Sequence, residues 1–351
     1  MGKIRALVVE DSHTVRRRLV EILESDPEFE VVGEAEDGRR AIELCMERRP
    51  DLITMDMMLP VMSGLAATEY IMAHFPTPIL IVSASTNRGE VFKTYDALAA
   101  GAVDVLEKMS GREAEGVWER DFLARAKLVA KIRVITHPRA RLALSGAPPI
   151  VTASPVMAAR PGLRVVAVGA STGGPRAVSE LLRALPPSFQ LPVLLVLHIN
   201  EPFGAAFADW LDSQTARPVS YATQGAPVSA SAGRVAIAPA GRHLEVREGR
   251  FHLTRDAERH SCRPSIDVLF ESVAASYGPS AAACLLTGMG RDGAAGLLAL
   301  RRAGALTIAQ DEATSVIYGM PREAVLLGAA ERVLPLGEIG AALVRAAEIR
   351  T

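Results

Sequence analysis

The chain has 351 residues, of which 49% are hydrophobic and 23% charged. That balance excludes a mainly disordered protein and leaves room for about two domains. Lysine plus arginine number 39 against 40 acidic residues, and aromatics make up 5%, so neither bulk electrostatics nor stacking platforms favour nucleic acid or an anionic membrane. Cys45, Cys262 and Cys284 lie far apart, and no long apolar stretch follows Lys3 and Arg5. No apolar run approaches the ~20 residues that span a bilayer. These features predict a cytoplasmic protein with reduced thiols and no membrane insertion.

Along the first third, short apolar runs alternate with amphipathic segments. Residues 6–9 form a run ending in Glu10 and Asp11, followed by a helical pattern over 12–25. Residues 31–32 read as a second strand and 38–49 as a helix. Residues 52–55 form a strand ending in Asp56, 79–82 one ending in Ser83, and 102–106 one leading to Lys108. A closing helix is expected over 113–135. Short apolar runs between helical patterns predict βα repeats around a parallel sheet.

In such a sheet all carboxyl ends share one edge, where α/β proteins place ligands. Glu10, Asp11 and Asp56 would converge there and repel one another unless a cation lay between them, and oxygen ligation with waters left over suits Mg²⁺. A carboxylate beside that ion can take a phosphoryl group, with Ser83 and Lys108 supplying a hydroxyl and a cation to its oxygens. The stretches V-V-E-D-S (8–12), T-M-D-M-M-L-P-V-M-S-G (54–64), V-S-A-S (82–85) and G-A-V-D-V-L-E-K (101–108) resemble the receiver domain of two-component response regulators over residues 1–136. The resemblance implies phosphorylation at Asp56, Mg²⁺ at Glu10, Asp11 and Asp56, and phosphoryl sensing by Ser83 and Lys108. Three positions depart from that family: Met109 stands where proline is usual, Val105 where an aromatic is frequent, and Met58 where a polar residue is common. An apolar Met58 is expected to slow loss of the phosphoryl group, because it cannot orient water.

Residues 137–163 carry Pro138, Pro148, Pro149, Pro155 and Pro161 among Ala, Ser and Arg and read as a linker. A second α/β pattern follows over 164–351. Residues 164–169 lead to Ser171, 192–197 to His198, and 281–286 to the turn that holds Asp292. Further strands are expected at 235–238 and 306–309, with a β-hairpin over 243–246 and 250–254. The fold expected for the whole chain is therefore α/β: an N-terminal (βα)5 unit, then a doubly wound, mainly parallel unit with a hairpin.

Gly169-Ala170-Ser171-Thr172-Gly173-Gly174 follows a strand directly. Small residues around a serine permit the sharp turn that projects a nucleophilic hydroxyl, although a glycine-rich loop at a helix start also cradles phosphates. A serine nucleophile needs a base oriented by a carboxylate. Of seven histidines only His198 ends a strongly apolar strand, and Asp292 lies in Thr287-Gly288-Met289-Gly290-Arg291-Asp292-Gly293 after another. The order Ser–His–Asp differs from that of α/β-hydrolases, whose histidine comes last.

That order, with G-A-S-T-G-G (169–174), L-H-I-N (197–200), R-P-S-I-D-V-L-F (263–270) and T-G-M-G-R-D-G-A-A-G (287–296), closely resembles the chemotaxis protein-glutamate methylesterase (CheB) family. The resemblance implies hydrolysis of glutamate γ-methyl esters on chemoreceptors with release of methanol, and deamidation of receptor glutamines. It implies Ser171 as nucleophile, His198 as base and then acid, and Asp292 as the residue orienting the imidazole. Thr172 and Met289 fall where that family lines its site, in an oxyanion role or a packing role. A chemotaxis histidine kinase would donate the phosphoryl group, and the unphosphorylated receiver would restrict access to the catalytic face. No cofactor is expected at the hydrolytic site. Two other readings remain open at this point: an output unit that only binds a partner, and the same chemistry on another ester.

Overall fold

The computed structural model describes residues 2–84, 88–109, 114, 116–132, 134, 162–199 and 203–348. The chain divides into two compact units, Met1–Val151 and Thr152–Thr351. Of the expected linker, only residues 162 and 163 are among those described.

The first unit runs β1 (Ile4–Val9), α1 (His13–Ser25), β2 (Phe29–Ala35), α2 (Gly38–Arg48), β3 (Leu52–Met55), α3 (Gly64–His74), β4 (Ile79–Ser83), α4 (Arg88–Ala100), β5 (Asp104–Glu107) and α5 (Val117–Ala130). All five strands are parallel, in the order β2-β1-β3-β4-β5. Every residue of β3 and β4 is buried, as expected where helices cover both faces of a sheet. β2 spans seven residues, longer than the two-residue apolar run suggests. It is an edge strand, and only Phe29 and Ala35 in its sequence FEVVGEA are buried. α5 is shorter than expected because it starts after Gly116, held at φ 73°. Asp37 caps α2 by accepting from the Arg40 N–H at 2.9 Å, and Ser63 caps α3 through the Ala66 N–H at 3.3 Å. Gly64 lets α3 start against the backbone of Asp56, because a Cβ there would overlap the Asp56 carbonyl.

The second unit runs β6 (Val165–Ala170), α6 (Gly174–Arg183), β7 (Val193–Leu197), α7 (Phe207–Gln214), β8 (Val219–Tyr221), β9 (Val235–Ile237), β10 (His243–Arg247), β11 (Arg250–Thr254), α8 (Ile266–Tyr277), β12 (Ala281–Leu285), α9 (Ala294–Arg302), β13 (Leu306–Gln310), α10 (Met320–Leu326), β14 (Arg332–Leu334) and α11 (Leu336–Glu348). Seven parallel strands take the order β14-β13-β12-β6-β7-β9-β8. The two edge strands, β8 and β14, have three residues each and no fully buried position, so they leave no apolar run to read. β10 and β11 form the expected hairpin as a separate antiparallel sheet. It is tied to α8 through Ser272 Oγ, which accepts the Val246 N–H at 3.0 Å, and Ser276 Oγ, which donates to the Val246 carbonyl at 2.9 Å. Leu244, Val246 and Phe251 of the hairpin join Ile266, Leu269, Phe270 and Val273 of α8 in one buried cluster.

Each sheet has one place where the chain leaves a strand in one direction and returns to its other side. In the first unit it lies between β1 and β3, in the second between β6 and β12. Crevices of this kind at the carboxyl ends of strands are where open α/β sheets bind ligands. No helix among the described residues is long and apolar enough to cross a membrane.

Candidate active site and candidate phosphorylation site

At the β1/β3 crevice, Glu10 and Asp56 are buried and Asp11 is exposed. One carboxylate oxygen from each lies within 4.8 Å of the other two. Lys108 follows β5 and reaches in, with Nζ 2.8 Å from Glu10 Oε2 and 3.0 Å from Asp56 Oδ2. The Met57 N–H donates to Asp56 Oδ1 at 2.7 Å, and the Ser12 N–H to Glu10 Oε1 at 3.2 Å. Burial pushes the Glu10 carboxyl up to about 7, against the opposing pull of its bond to Lys108. Lys108 is itself partly desolvated, yet its two carboxylate partners hold its ammonium above the ordinary lysine range. Ser83 is buried at the end of β4, and its carbonyl accepts the Lys108 N–H at 3.1 Å. The five residues expected at strand ends thus fall on one edge.

Among the described residues the one cis peptide precedes Pro264, so the Lys108–Met109 bond is trans. Met58 is exposed, and its sulfur lies 3.6 Å from Lys93 Nζ. Val105 is buried in the sheet.

At the β6/β12 crevice, Ser171 is the first residue after β6 and His198 the first after β7. Ala170 and Leu197 are register partners, and the His198 N–H donates to the Ala170 carbonyl at 3.0 Å. Ser171 and His198 therefore sit on neighbouring strand ends. Glycine supplies the sharp turn: Gly173 has φ 76°, and a Cβ on Gly174 would overlap Leu197. Across the crevice, the Ser171 N–H donates to the Thr287 carbonyl at 3.0 Å. A Cβ on Gly288 would come within 2.7 Å of Ser171 Cβ, which is why a glycine stands there.

Asp292 is 2% exposed and accepts four hydrogen bonds. His198 Nε2 lies 2.9 Å from Oδ2. Ser265 Oγ donates to Oδ1 at 2.7 Å, the Ile266 N–H to Oδ2 at 2.7 Å, and the Asp267 N–H to Oδ1 at 3.1 Å. The last two are free amides at the start of α8, so the carboxylate is bound by a helix N-terminus. Burial acts to raise the Asp292 carboxyl, but His198, Ser265 and the amides outweigh it and hold it below the usual range. Burial likewise acts to lower the His198 imidazole, but Asp292 and then Cys262 outweigh that and lift it to about 9. Cys262 Sγ lies 3.8 Å from His198 Nδ1. Among the described residues no hydrogen bond joins Ser171 Oγ to His198. Asp267 is buried, accepts the Gly296 N–H at 2.6 Å and faces His260 Nε2 at 3.0 Å, and burial pushes its carboxyl up.

Thr172 is half-buried, and its carbonyl accepts from Thr287 Oγ1 at 3.0 Å. Met289 is 53% exposed. Neither residue's N–H donates to a backbone carbonyl among the described residues. Ser265 and Cys262 carried no role in the sequence reading. Ser265 reaches Asp292 across 27 positions and Cys262 reaches His198 across 64, so neither contact has a local signal.

Fold and edge residues together define a class: a five-stranded parallel α/β unit of the receiver type, followed by a seven-stranded parallel α/β unit that brings serine, histidine and aspartate to one sheet edge. Comparison with known proteins carries this further. Residues 6–114 match the response regulator receiver domain and residues 166–343 match the CheB methylesterase. The chain belongs to the CheB methylesterase family. Protein-glutamate methylesterase/protein-glutamine glutaminase 2 of Anaeromyxobacter dehalogenans is 44% identical over 340 residues, covering 97% of this chain and 96% of its own. Protein-glutamate methylesterase/protein-glutamine glutaminase of Nitrosospira multiformis is 44% identical over 344 residues, covering 97% and 96%. The crystal structure of the Thermotoga maritima CheB methylesterase catalytic domain is 34% identical, with TM-score 0.50, covering 52% of this chain and 98% of that one.

Proposed function

We propose that this protein hydrolyses glutamate γ-methyl esters on chemoreceptors to glutamate and methanol, and deamidates receptor glutamines, under control of phosphorylation at Asp56. The observation that carries the reading is the His198–Asp292 bond of 2.9 Å at the switch point that also holds Ser171. Residues 1–136 are read as the regulatory part, 137–163 as the linker and 164–351 as the catalytic part.

Ser171 Oγ attacks the ester carbonyl while His198 takes its proton. Because Nε2 faces Asp292, the nitrogen available to the serine is Nδ1, the reverse of the arrangement in which Nδ1 meets the aspartate. Asp292 accepts the Nε2–H and stabilises the imidazolium. The Thr172 and Met289 N–H groups are the candidate donors to the developing oxyanion. His198 then returns the proton to the departing methanol, and a water deprotonated by the same nitrogen releases the glutamate. With a glutamine substrate the leaving group is ammonia and the sequence is otherwise the same.

In the receiver, Glu10, Asp11 and Asp56 have the all-oxygen donor chemistry that suits Mg²⁺ and would hold it. Bound there, the ion would neutralise phosphoryl charge during transfer. Asp56 receives the phosphoryl group, and Lys108, already at bonding distance from Asp56, moves its charge onto the new oxygens. Ser83 offers a hydroxyl from the next strand. A chemotaxis histidine kinase is the proposed donor. The three cysteines are free, which supports a cytoplasmic location.

The test is methanol release from methylated chemoreceptor membranes, with and without a small phosphodonor and Mg²⁺, for the wild type, Ser171→Ala and Asp56→Asn. Release is expected to require Ser171 and to rise with phosphodonor only when Asp56 is present. Release that survives Ser171→Ala would overturn the nucleophile assignment. No release from any sample would favour another ester or a partner-binding output.

A further inference from the structure

We infer that His198 and Cys262 form a binding site for a soft divalent cation such as Zn²⁺, and that filling this site shuts the hydrolytic centre. Cys262 Sγ lies 3.8 Å from His198 Nδ1. A tetrahedral zinc ion holds thiolate sulfur at about 2.3 Å and imidazole nitrogen at about 2.0–2.1 Å, which places the two donors about 3.5 Å apart. A movement of a few tenths of an ångström therefore closes the pair onto one ion.

The surroundings match a metal-ligating histidine. His198 turns its other nitrogen, Nε2, to Asp292 at 2.9 Å, and a ligating imidazole typically gives its far N–H to such a carboxylate. Asp292 is fixed in turn by Ser265 and two amides of α8. One donor atom each of His198, Cys262 and Asp292 lie within 4.8 Å of one another. His198 and Cys262 are both partly exposed, so an ion can enter and waters can complete its shell. The other two cysteines, Cys45 and Cys284, are buried and do not compete for it.

Donor type separates this pair from the carboxylate cluster of the first unit. The sulfur–nitrogen pair suits Zn²⁺ or Cd²⁺, whereas the carboxylate cluster of Glu10, Asp11 and Asp56 suits Mg²⁺. On binding, the Cys262 thiol loses its proton to solvent and His198 enters as neutral imidazole, so protons are released and affinity rises with pH. No electron transfer is involved. The ion occupies the Nδ1 lone pair that must accept the Ser171 proton, and that is how it inhibits.

The inhibition rests on the catalytic reading above, whereas the binding does not. The full-length protein, in Mg²⁺ buffer, is titrated with Cd²⁺ while the ultraviolet thiolate-to-metal absorption is followed, and then with Zn²⁺ in competition. One equivalent of Cd²⁺ should raise the band in the wild type, Zn²⁺ should remove it, and Cys262→Ser should lack it. Affinity should fall at least about tenfold in His198→Gln, because losing even an outer-shell partner of a ligand costs about 10–100-fold. Zn²⁺ should block methanol release reversibly by chelator, with the inhibitory concentration raised at least tenfold in Cys262→Ser. Should Cys262→Ser fail to fold, protection of the wild-type Cys262 thiol from alkylation by Zn²⁺ gives the same reading. Absence of the band in the wild type, its persistence in Cys262→Ser, or unchanged affinity in His198→Gln would overturn the site. A Cys262-dependent band without inhibition would uphold the binding site, overturn the shut-off and count against His198 as the base.

Discussion

Asp292 is joined to Ser265 by a 2.7 Å hydrogen bond from Ser265 Oγ to Oδ1, and this bond leaves Oδ2 for His198 and the Ile266 amide. The carboxylate cannot swing away from the imidazole without giving up contacts on both oxygens. Asp292→Asn removes the charge and is expected to lower kcat by about 10⁴-fold, the scale seen when a triad aspartate is neutralised. Ser265→Ala should cost about tenfold, the size of one hydrogen bond to a charged group. Methanol release measured alongside circular dichroism separates both from unfolding.

The rate should depend steeply on pH above neutrality. On the proposed mechanism His198 must be neutral to accept the serine proton, and Asp292 and Cys262 hold it up near 9. Activity is therefore expected to climb from neutral pH towards 9 and then level off, and kcat/KM across that range tests it. Stability moves the other way. A histidine whose folded value exceeds its unfolded value of about 6.5 contributes fully below that value and loses its contribution as pH rises through about 9. Thermal midpoints of wild type and His198→Gln should converge at the alkaline end.

Gly288→Ala should abolish most activity while leaving the receiver intact. The added methyl would stand 2.7 Å from Ser171 Cβ and 2.6 Å from Met320 Cε, and the serine must shift to make room. A misplacement on the order of 1 Å costs about 10²-fold. Phosphoryl uptake at Asp56 by the same variant should match the wild type.

Lys108→Ala should uncouple phosphorylation from activation. Lys108 bridges Glu10 and Asp56 and is the one described cation in contact with both. The variant is expected to accept the phosphoryl group from a small donor yet show less than half of the wild-type stimulation of methanol release. Full stimulation would remove Lys108 from the switch.

Met58→Glu is expected to speed loss of the phosphoryl group from Asp56, because a carboxylate two residues on can orient water where a thioether cannot. Lys93, 3.6 Å from the Met58 sulfur, is the group that would compete for that carboxylate. The double change Met58→Glu with Lys93→Ala should therefore be faster still. Equal dephosphorylation rates in all three proteins would discard the idea.

How much of this was legible beforehand follows from the range of the interactions involved. A parallel sheet puts every strand's carboxyl end on one edge, so the alternation of apolar runs and helical patterns was enough to bring Glu10, Asp11, Asp56, Ser83 and Lys108 together. It was equally enough to put Ser171 and His198 on neighbouring strand ends. The edge strands β2, β8 and β14 were short-changed or missed because one-sided burial leaves no apolar run. Local chemistry also located the glycine turn at 169–174. Other features depend on side chains brought together from distant parts of the chain, and pattern alone does not encode those. The order of strands around β6 put Asp292 opposite Ser171, the start of α8 bound its carboxylate, and that fixed which imidazole nitrogen faces it. The same packing set Cys262 beside Nδ1 across 64 residues of sequence, because the ring's orientation is decided by the tertiary contacts on its two sides and not by its neighbours in the chain.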